Sequence, residues 1–265
     1  MGSGKSEHAP LQDVLMSKVA RVQLAIIVGF VALLELLTRT GVIGRLTMIP
    51  PSQMASHLWG MLRAGELDAP MAQTFANIAI AFALAVVVGC LGGVVIHALP
   101  RLRRVLDPLL ASYYAVPFFV FYPLLIAILG LNRWPLVLIG FAFGFAAMVI
   151  ATLDGLDRVP AVLRKVARVH RLGRAAEAFR IVLPSAAPHL LGGLKLALAY
   201  AFIGVIAGEF ILSGEGLGHA IAYAYDSFDN RTMYALMLFV VMLATGLNVG
   251  LHLLEQRVLR RRRRT

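Results

Sequence analysis

A single cysteine, Cys90, stands in a chain of 265 residues. That scarcity excludes a disulfide framework, a CxxC redox pair and a thiolate metal site, and the position of Cys90 inside an apolar block suits a small buried hydrophobe. Acidic residues are also few, 14 against 25 Lys and Arg, and they form no concentrated run of carboxylates. The chain contains no HExxH motif and no Gly-x-Ser-x-Gly with a partner histidine, and no pair of polar residues has metal-ligand or acid/base spacing. An enzyme needs such a nucleophile, metal or acid/base pair at fixed spacing, so neither catalytic nor metal-binding residues are expected. The opening MGSGKS ends like a phosphate loop. That motif needs a glycine five residues before its last one, and Gly4 has only three residues ahead of it, so the segment is read as an unstructured start.

What the chain does have is long apolar runs. Hydrophobic residues make up 59% and charged residues 15%, and mean hydropathy is +0.79. The apolar residues gather in blocks, which is the composition of a polytopic membrane protein. A net charge of +11 invites a nucleic-acid reading, but the basic residues lie between the blocks and not on one face of a soluble domain, so no nucleic-acid partner is expected. A bilayer core of about 30 Å needs roughly 20 apolar residues per helix. Six blocks qualify, at about 19–37, 74–99, 106–129, 135–153, 190–212 and 233–254. The first lacks a small-residue cleavage site and is read as an uncleaved span.

Counting Lys and Arg between the blocks places nineteen on one side and five on the other, which predicts both termini in the cytoplasm. The resulting domain organisation is a cytoplasmic tail over 1–18, a six-helix membrane domain over 19–255 and a basic tail over 256–265. The five consecutive arginines of the last segment suit an anchor to anionic lipid headgroups. Outside lie a long segment from Thr38 to Gln73, a short GLNRW turn and the segment SGEGLGHAIAYAYDSFDN.

Polar groups inside a bilayer are costly unless they face a cavity or a partner. Asn77, His97, Lys195, Glu209 and Asn248 lie within or at the edges of spans. In the third span, SYYAVPFFVFYPLL combines kink points at Pro117 and Pro123 with aromatic rings, which suits either a bent pathway wall or a lipid-facing face. The candidates for a translocation pathway are Tyr113, Tyr114, Pro117, Phe118, Lys195, Tyr200 and Glu209. For an anionic solute, Lys195 and Arg133 are the obvious cations.

Between the fourth and fifth spans stands RKVARVHRLGRAAEAFRIVLP. Val162, Leu163, Val166, Val169 and Leu172 recur at helical spacing, with Arg164, Lys165, Arg168 and Arg171 on the remaining positions. The spacing predicts an amphipathic helix, a sharp turn permitted by Gly173, and a second short helix that Pro184 closes before the fifth span begins. Such a pair suits a basic helix lying on anionic lipid or a docking element for a cytoplasmic partner, and periodicity does not separate the two.

The same stretch resembles the cytoplasmic loop of ABC-importer permease subunits, whose signature runs Glu-Ala-Ala, then a glycine four positions on, then Ile-x-Leu-Pro. Ile181, Leu183 and Pro184 match its end and Ala167 its second alanine, while Lys165 stands on the glutamate, Val166 on the first alanine and Arg171 on the glycine. The chain from about residue 20 onward is similar to the nitrate, sulfonate, taurine and bicarbonate branch, through MIPPSQ, the Gly-Glu-Leu loop, the glycine-rich second span, Asp107-Pro108, AVPFFVFYPLL and AGEFILSGEGLGHAI. This resemblance implies an all-α integral membrane protein of the type I permease kind, with six transmembrane helices, in a bacterial inner membrane. It implies a pair of identical copies, two cytoplasmic ATPase subunits that carry ATP and Mg, and an extracytoplasmic solute-binding protein, with no cofactor bound by this chain. Within a loop at about 154–189, it makes Ala161 to Phe179 the coupling helices. The residues facing the ATPase would be Arg164, Lys165, Ala167, Arg168, Arg171, Gly173, Phe179, Ile181, Leu183 and Pro184. The solute implied is a sulfonate, nitrate or other small anion; a vitamin precursor or an aromatic acid is the alternative within the family, and a self-sufficient secondary transporter the alternative outside it.

Overall fold

We analysed a computed structural model of the chain, in which the structure describes residues 9–44 and 47–262. The MGSGKS start, Arg45 and the last two arginines fall outside the described residues.

Lipid tails are as apolar as leucine, so helices in a membrane associate through close packing of small residues and not through water exclusion. The core follows that rule. It is built from α3 (Asp68–Ala98), α6 (Arg133–Asp157) and α9 (Leu183–Leu212). Gly89 of α3 abuts Met148, and Gly93 abuts Thr152, so α3 and α6 run parallel. Gly144 meets Ala197 and Gly155 meets Ala186, so α9 runs antiparallel to both. Around this trio lie α2 (Pro51–Ala64), α10 (Leu217–Asp226) and α11 (Asn230–Arg262), and α1 (Ala9–Arg39) joins α2. Leu58, Met61 and Leu67 pack against Leu217, Leu236 and Phe239, which gathers α2, α10 and the start of α11 into a cap over one end of the bundle. Over residues 21–33 the side chains of α1, among them Ile26, Ile27 and Phe30, are exposed, as a lipid-facing helix requires. Glu35 at its end accepts hydrogen bonds from the Ser52 backbone N–H (2.9 Å) and hydroxyl (2.6 Å). Asp229 caps α11 by accepting from the Thr232 backbone N–H at 3.2 Å, and the hydrogen bonds from Thr232 hold its carboxyl below the usual range.

Five helices among the described residues are long and apolar enough to cross a membrane, and they coincide with five of the six expected spans. The third span differs. It is a pair, α4 (Pro100–Ser112) and α5 (Tyr122–Leu129), joined by two 3-10 turns and bent by 88°. The cause is local: Val116 precedes a proline, which forbids it the helical region, and it is extended at φ −78° and ψ 120°. What the sequence marks as a kink is a break.

The segment between the fourth and fifth spans also departs from expectation in two ways. The first helix, α7 (Ala161–Val169), forms, and α8 (Arg174–Glu177) follows it. Pro184 does not close α8. A π-helical turn over Ala178–Val182 carries the chain without interruption into α9, with Pro184 in the first turn of α9. The wider turn accommodates a residue that has no N–H and whose ring would strike the carbonyl four residues back.

The turn after α7 is made by Arg171 at φ 49°, not by Gly173, which has no close neighbours and no left-handed backbone. Arg171 N–H donates to the Arg168 carbonyl (3.1 Å) and Leu172 N–H to the Ala167 carbonyl (3.0 Å), the paired bonds of a Schellman cap. An arginine therefore holds the left-handed position on which the resemblance aligns a glycine. Relief of that strain outweighs the extra freedom glycine gains in the unfolded chain, so Arg171→Gly is expected to stabilise the turn by about 0.5–1 kcal/mol. Slower hydrogen exchange at the amides of residues 170–172 checks this, and faster exchange would contradict it.

Candidate functional site

The break at Val116 and Pro117 has a direct consequence for the aromatic residues beside it. It turns Tyr113, Tyr114 and Phe118 onto α6 and α9. The Tyr113 hydroxyl donates to the Ala142 carbonyl at 2.9 Å, and its ring lies 4.8 Å from Phe118. Tyr114 stacks at 5.1 Å on Tyr200 of α9, and Phe118 meets Phe143 of α6 edge-on at 5.5 Å. Tyr113, Tyr114, Phe118 and Tyr200 thus form one aromatic cluster where the broken span joins the core, and Pro117 is exposed at the break itself.

Lys195 and Glu209 are not part of it. Lys195 forms an ion pair with Glu255 of α11, with its Nζ also 3.2 Å from His252 Nδ1. Its charge is compensated within the protein, and it ties α9 to α11. Glu209, 0% exposed, accepts from the Thr74 hydroxyl (2.7 Å), the Asn77 amide (3.3 Å) and the Gly218 backbone N–H (3.2 Å). Thr74 in turn accepts from the Leu217 N–H at 2.9 Å. Leu217 and Gly218 open α10, so a carboxyl on α9 and a hydroxyl on α3 satisfy the orphan donors of that helix. Gly216 leaves the space for this carboxyl, since a Cβ there would collide with it.

Beside this latch, at the same end of the bundle, lies a cavity of about 590 Å³. Gln73, Asn77, Tyr122, Arg133, Ser213 and Glu215 line it together with apolar neighbours. Sequence reasoning considered Arg133 but missed Gln73, Ser213 and Glu215. They stand at junctions between loops and spans on one side of the charge-derived topology, a usable signal, but nothing in the sequence says that these junctions meet.

At the opposite end, Arg103 of α4 grips Asp157 of α6 with two hydrogen bonds of 2.8 and 2.6 Å, and His97 Nδ1 of α3 lies 3.1 Å from the same carboxylate. Three helices are thereby fastened immediately before α7. The apolar stripe of α7 is not buried: Val169 is 80% exposed, Val162 and Val166 are exposed beside it, and Phe179 is 71% exposed on the π turn. Lys165, Arg168, Arg171, Gly173, Leu183 and Pro184 are exposed and Ile181 is half-buried, while Ala167 is 1% exposed. Arg164 lies on α7, but its side chain is outside the described residues. Among the described residues, no group of His, Cys, Asp and Glu could hold a metal ion.

Residues 85–264 match the family described as binding-protein-dependent transport system inner membrane component. The chain is 27% identical over 221 residues to the taurine transport system permease protein TauC of Escherichia coli strain K12, covering 82% of this chain and 80% of that one. It is 28% identical to the bicarbonate transport system permease protein CmpB of Synechocystis, covering 76% and 75%, and 24% identical to the nitrate import permease protein NrtB of Leptolyngbya laminosa, covering 71% and 67%. Its fold resembles a chain of the inward-facing MetNI methionine ABC transporter, with a TM-score of 0.60 at 19% identity over 71% of this chain and 94% of that one.

Proposed function

Because the chain belongs to the family of binding-protein-dependent transport system inner membrane components, we propose that two copies of it form the membrane path of an ABC importer for a small solute bearing an anionic group. The chain is the permease, and ATP and Mg belong to separate ATPase subunits. A solute-binding protein delivers the cargo on the outer side, and both termini lie with the α7–α8 hairpin in the cytoplasm. The names of the relatives, permeases for taurine, nitrate and bicarbonate, support the substrate class.

The observation that carries the coupling role is the open face of the hairpin. Val162, Val166, Val169 and Phe179 present apolar surface while Ala167 is packed inward, which suits a shaped partner cleft. The π turn gives the role a mechanism. With no loop between α8 and α9, closure of an ATPase dimer on ATP would displace α9 as a rigid body. Lys195 would pass that displacement to α11 through Glu255, and Glu209 would pass it to α10 at the far end. Binding energy in the partner thereby shifts the population between inward- and outward-facing states.

Purification in mild detergent is expected to bring an ATPase down with the chain. The variant Val166→Asp with Phe179→Asp, which buries charge at the proposed contact, is expected to reduce the retained ATPase by about tenfold or more, with helix content unchanged. Full retention in that variant would remove the hairpin from the interface. Uptake into liposomes by the chain alone would overturn the permease assignment itself.

A further inference from the structure

The cavity beside the Glu209 latch contains two opposite charges that are not spent on each other. Arg133 and Glu215 both line it, and among the described residues neither takes part in an ion pair. The Gln73 amide donates to Glu215 Oε2 at 2.6 Å, which orients the carboxylate without neutralising it. Arg133 is the first residue of α6, and its neighbour Asn132 caps that helix by accepting from the Trp134 N–H at 2.8 Å. Glu215 follows the end of α9, where the Ser213 hydroxyl donates to the Glu215 carbonyl at 2.8 Å and accepts from its N–H at 3.1 Å. The lining thus includes the positive end of a helix carrying a cation and the negative end of a helix followed by an anion. Each side chain reinforces the polarity of its own helix end.

An inorganic anion would gain from Arg133 and lose to Glu215. A molecule carrying both an oxyanion and an ammonium would gain from each: the guanidinium fork matches a sulfonate or carboxylate, and the carboxylate holds the ammonium. The volume of about 590 Å³ lies within the roughly 300–1,000 Å³ usual for small-molecule sites. We infer that this cavity is a receiving site for a small zwitterion, an aminosulfonate or amino acid, at the end of the bundle away from the α7–α8 hairpin. The inference rests on the permease reading and narrows its substrate class.

The test uses the full chain in lipid nanodiscs and three probes: radiolabelled taurine, unlabelled ethanesulfonate, which keeps the oxyanion, and ethylammonium, which keeps the cation. Ethanesulfonate and ethylammonium are each expected to compete about tenfold less well than unlabelled taurine. Glu215→Gln should erase the disadvantage of ethanesulfonate, Arg133→Gln should erase that of ethylammonium, and the exchange Arg133→Glu with Glu215→Arg should recover the preference for taurine. Equal competition by ethanesulfonate in the parent chain, a preference unmoved by both single variants, or no taurine binding at millimolar concentration would overturn the inference. Binding is read without the ATPase, so these failures are distinct from failure of the permease reading, which would appear as no ATPase co-purifying with the chain in mild detergent.

Discussion

Glu209→Ala is expected to cost about 3–5 kcal/mol of stability and to release α10 from the bundle. The substitution leaves the Thr74 hydroxyl, the Asn77 amide and the Gly218 N–H facing a space without an acceptor, in a place that is 0% exposed. Each buried donor left unsatisfied costs about 1–3 kcal/mol, more than its hydrogen bond contributes when made. Glu209→Gln separates this polar loss from a packing loss. Its amide keeps the shape and one oxygen, and Asn77 can turn its own carbonyl toward the new N–H group, so a loss of about 1 kcal/mol is expected. Unfolding by SDS in mixed micelles gives the two stabilities. Hydrogen exchange at Leu217 and Gly218 reports the helix directly: protection should vanish in the alanine variant and largely persist in the glutamine variant. An alanine variant as stable as the parent would show that the latch holds nothing.

That glutamate also shows where sequence reasoning stops. A carboxylate in an apolar span is by default a pathway residue, and the sequence supports that reading of Glu209. Its actual partners lie about 135 positions away on α3 and nine positions ahead on α10, and only the folded arrangement brings them to one point. The partner of Lys195 is as remote in sequence, because Glu255 lies 60 positions away. Features set by local chemistry were legible. The apolar blocks marked the spans because a bilayer tolerates few alternatives to a helix of that length. Proline placed the interruption of the third span, and valine spacing placed α7. The size of a local effect was less legible: proline at 117 makes a break and not a bend, while proline at 184 is absorbed by a π turn. The left-handed turn formed on Arg171 and not on the glycine two residues later, since the Schellman bonds count from the last turn of α7 and not from where glycine happens to stand.

Gly204→Leu is expected to have an effect of similar size through packing alone. A Cβ at residue 204 would lie 2.9 Å from the Gly140 Cα and 3.0 Å from the Phe143 ring. The first of these is backbone and cannot rotate aside, so α6 and α9 must part, and even a methyl group needs several tenths of an ångström. Overpacking of this kind costs about 1–3 kcal/mol and more for a larger side chain. Glycine is a poor helix former, so the exchange also returns up to about 1 kcal/mol, and the control must carry the same return. Gly192→Leu does so: it lies on the same helix with nothing within 4 Å of the built Cβ, and is expected to unfold in SDS at the parental concentration or above it. Loss confined to residue 204 would establish that backbone proximity, not glycine's flexibility, is what the core requires there. The consequence reaches the aromatic cluster, because Phe143 packs at 5.5 Å on Phe118 and at 5.0 Å on Phe119. Displacing α6 therefore moves the wall against which the broken span rests, and Gly204→Ala, mild enough to assemble, is expected to lower solute uptake while leaving ATPase retention unchanged. Equal loss from both glycines would trace the effect to the helix as a whole and refute the contact.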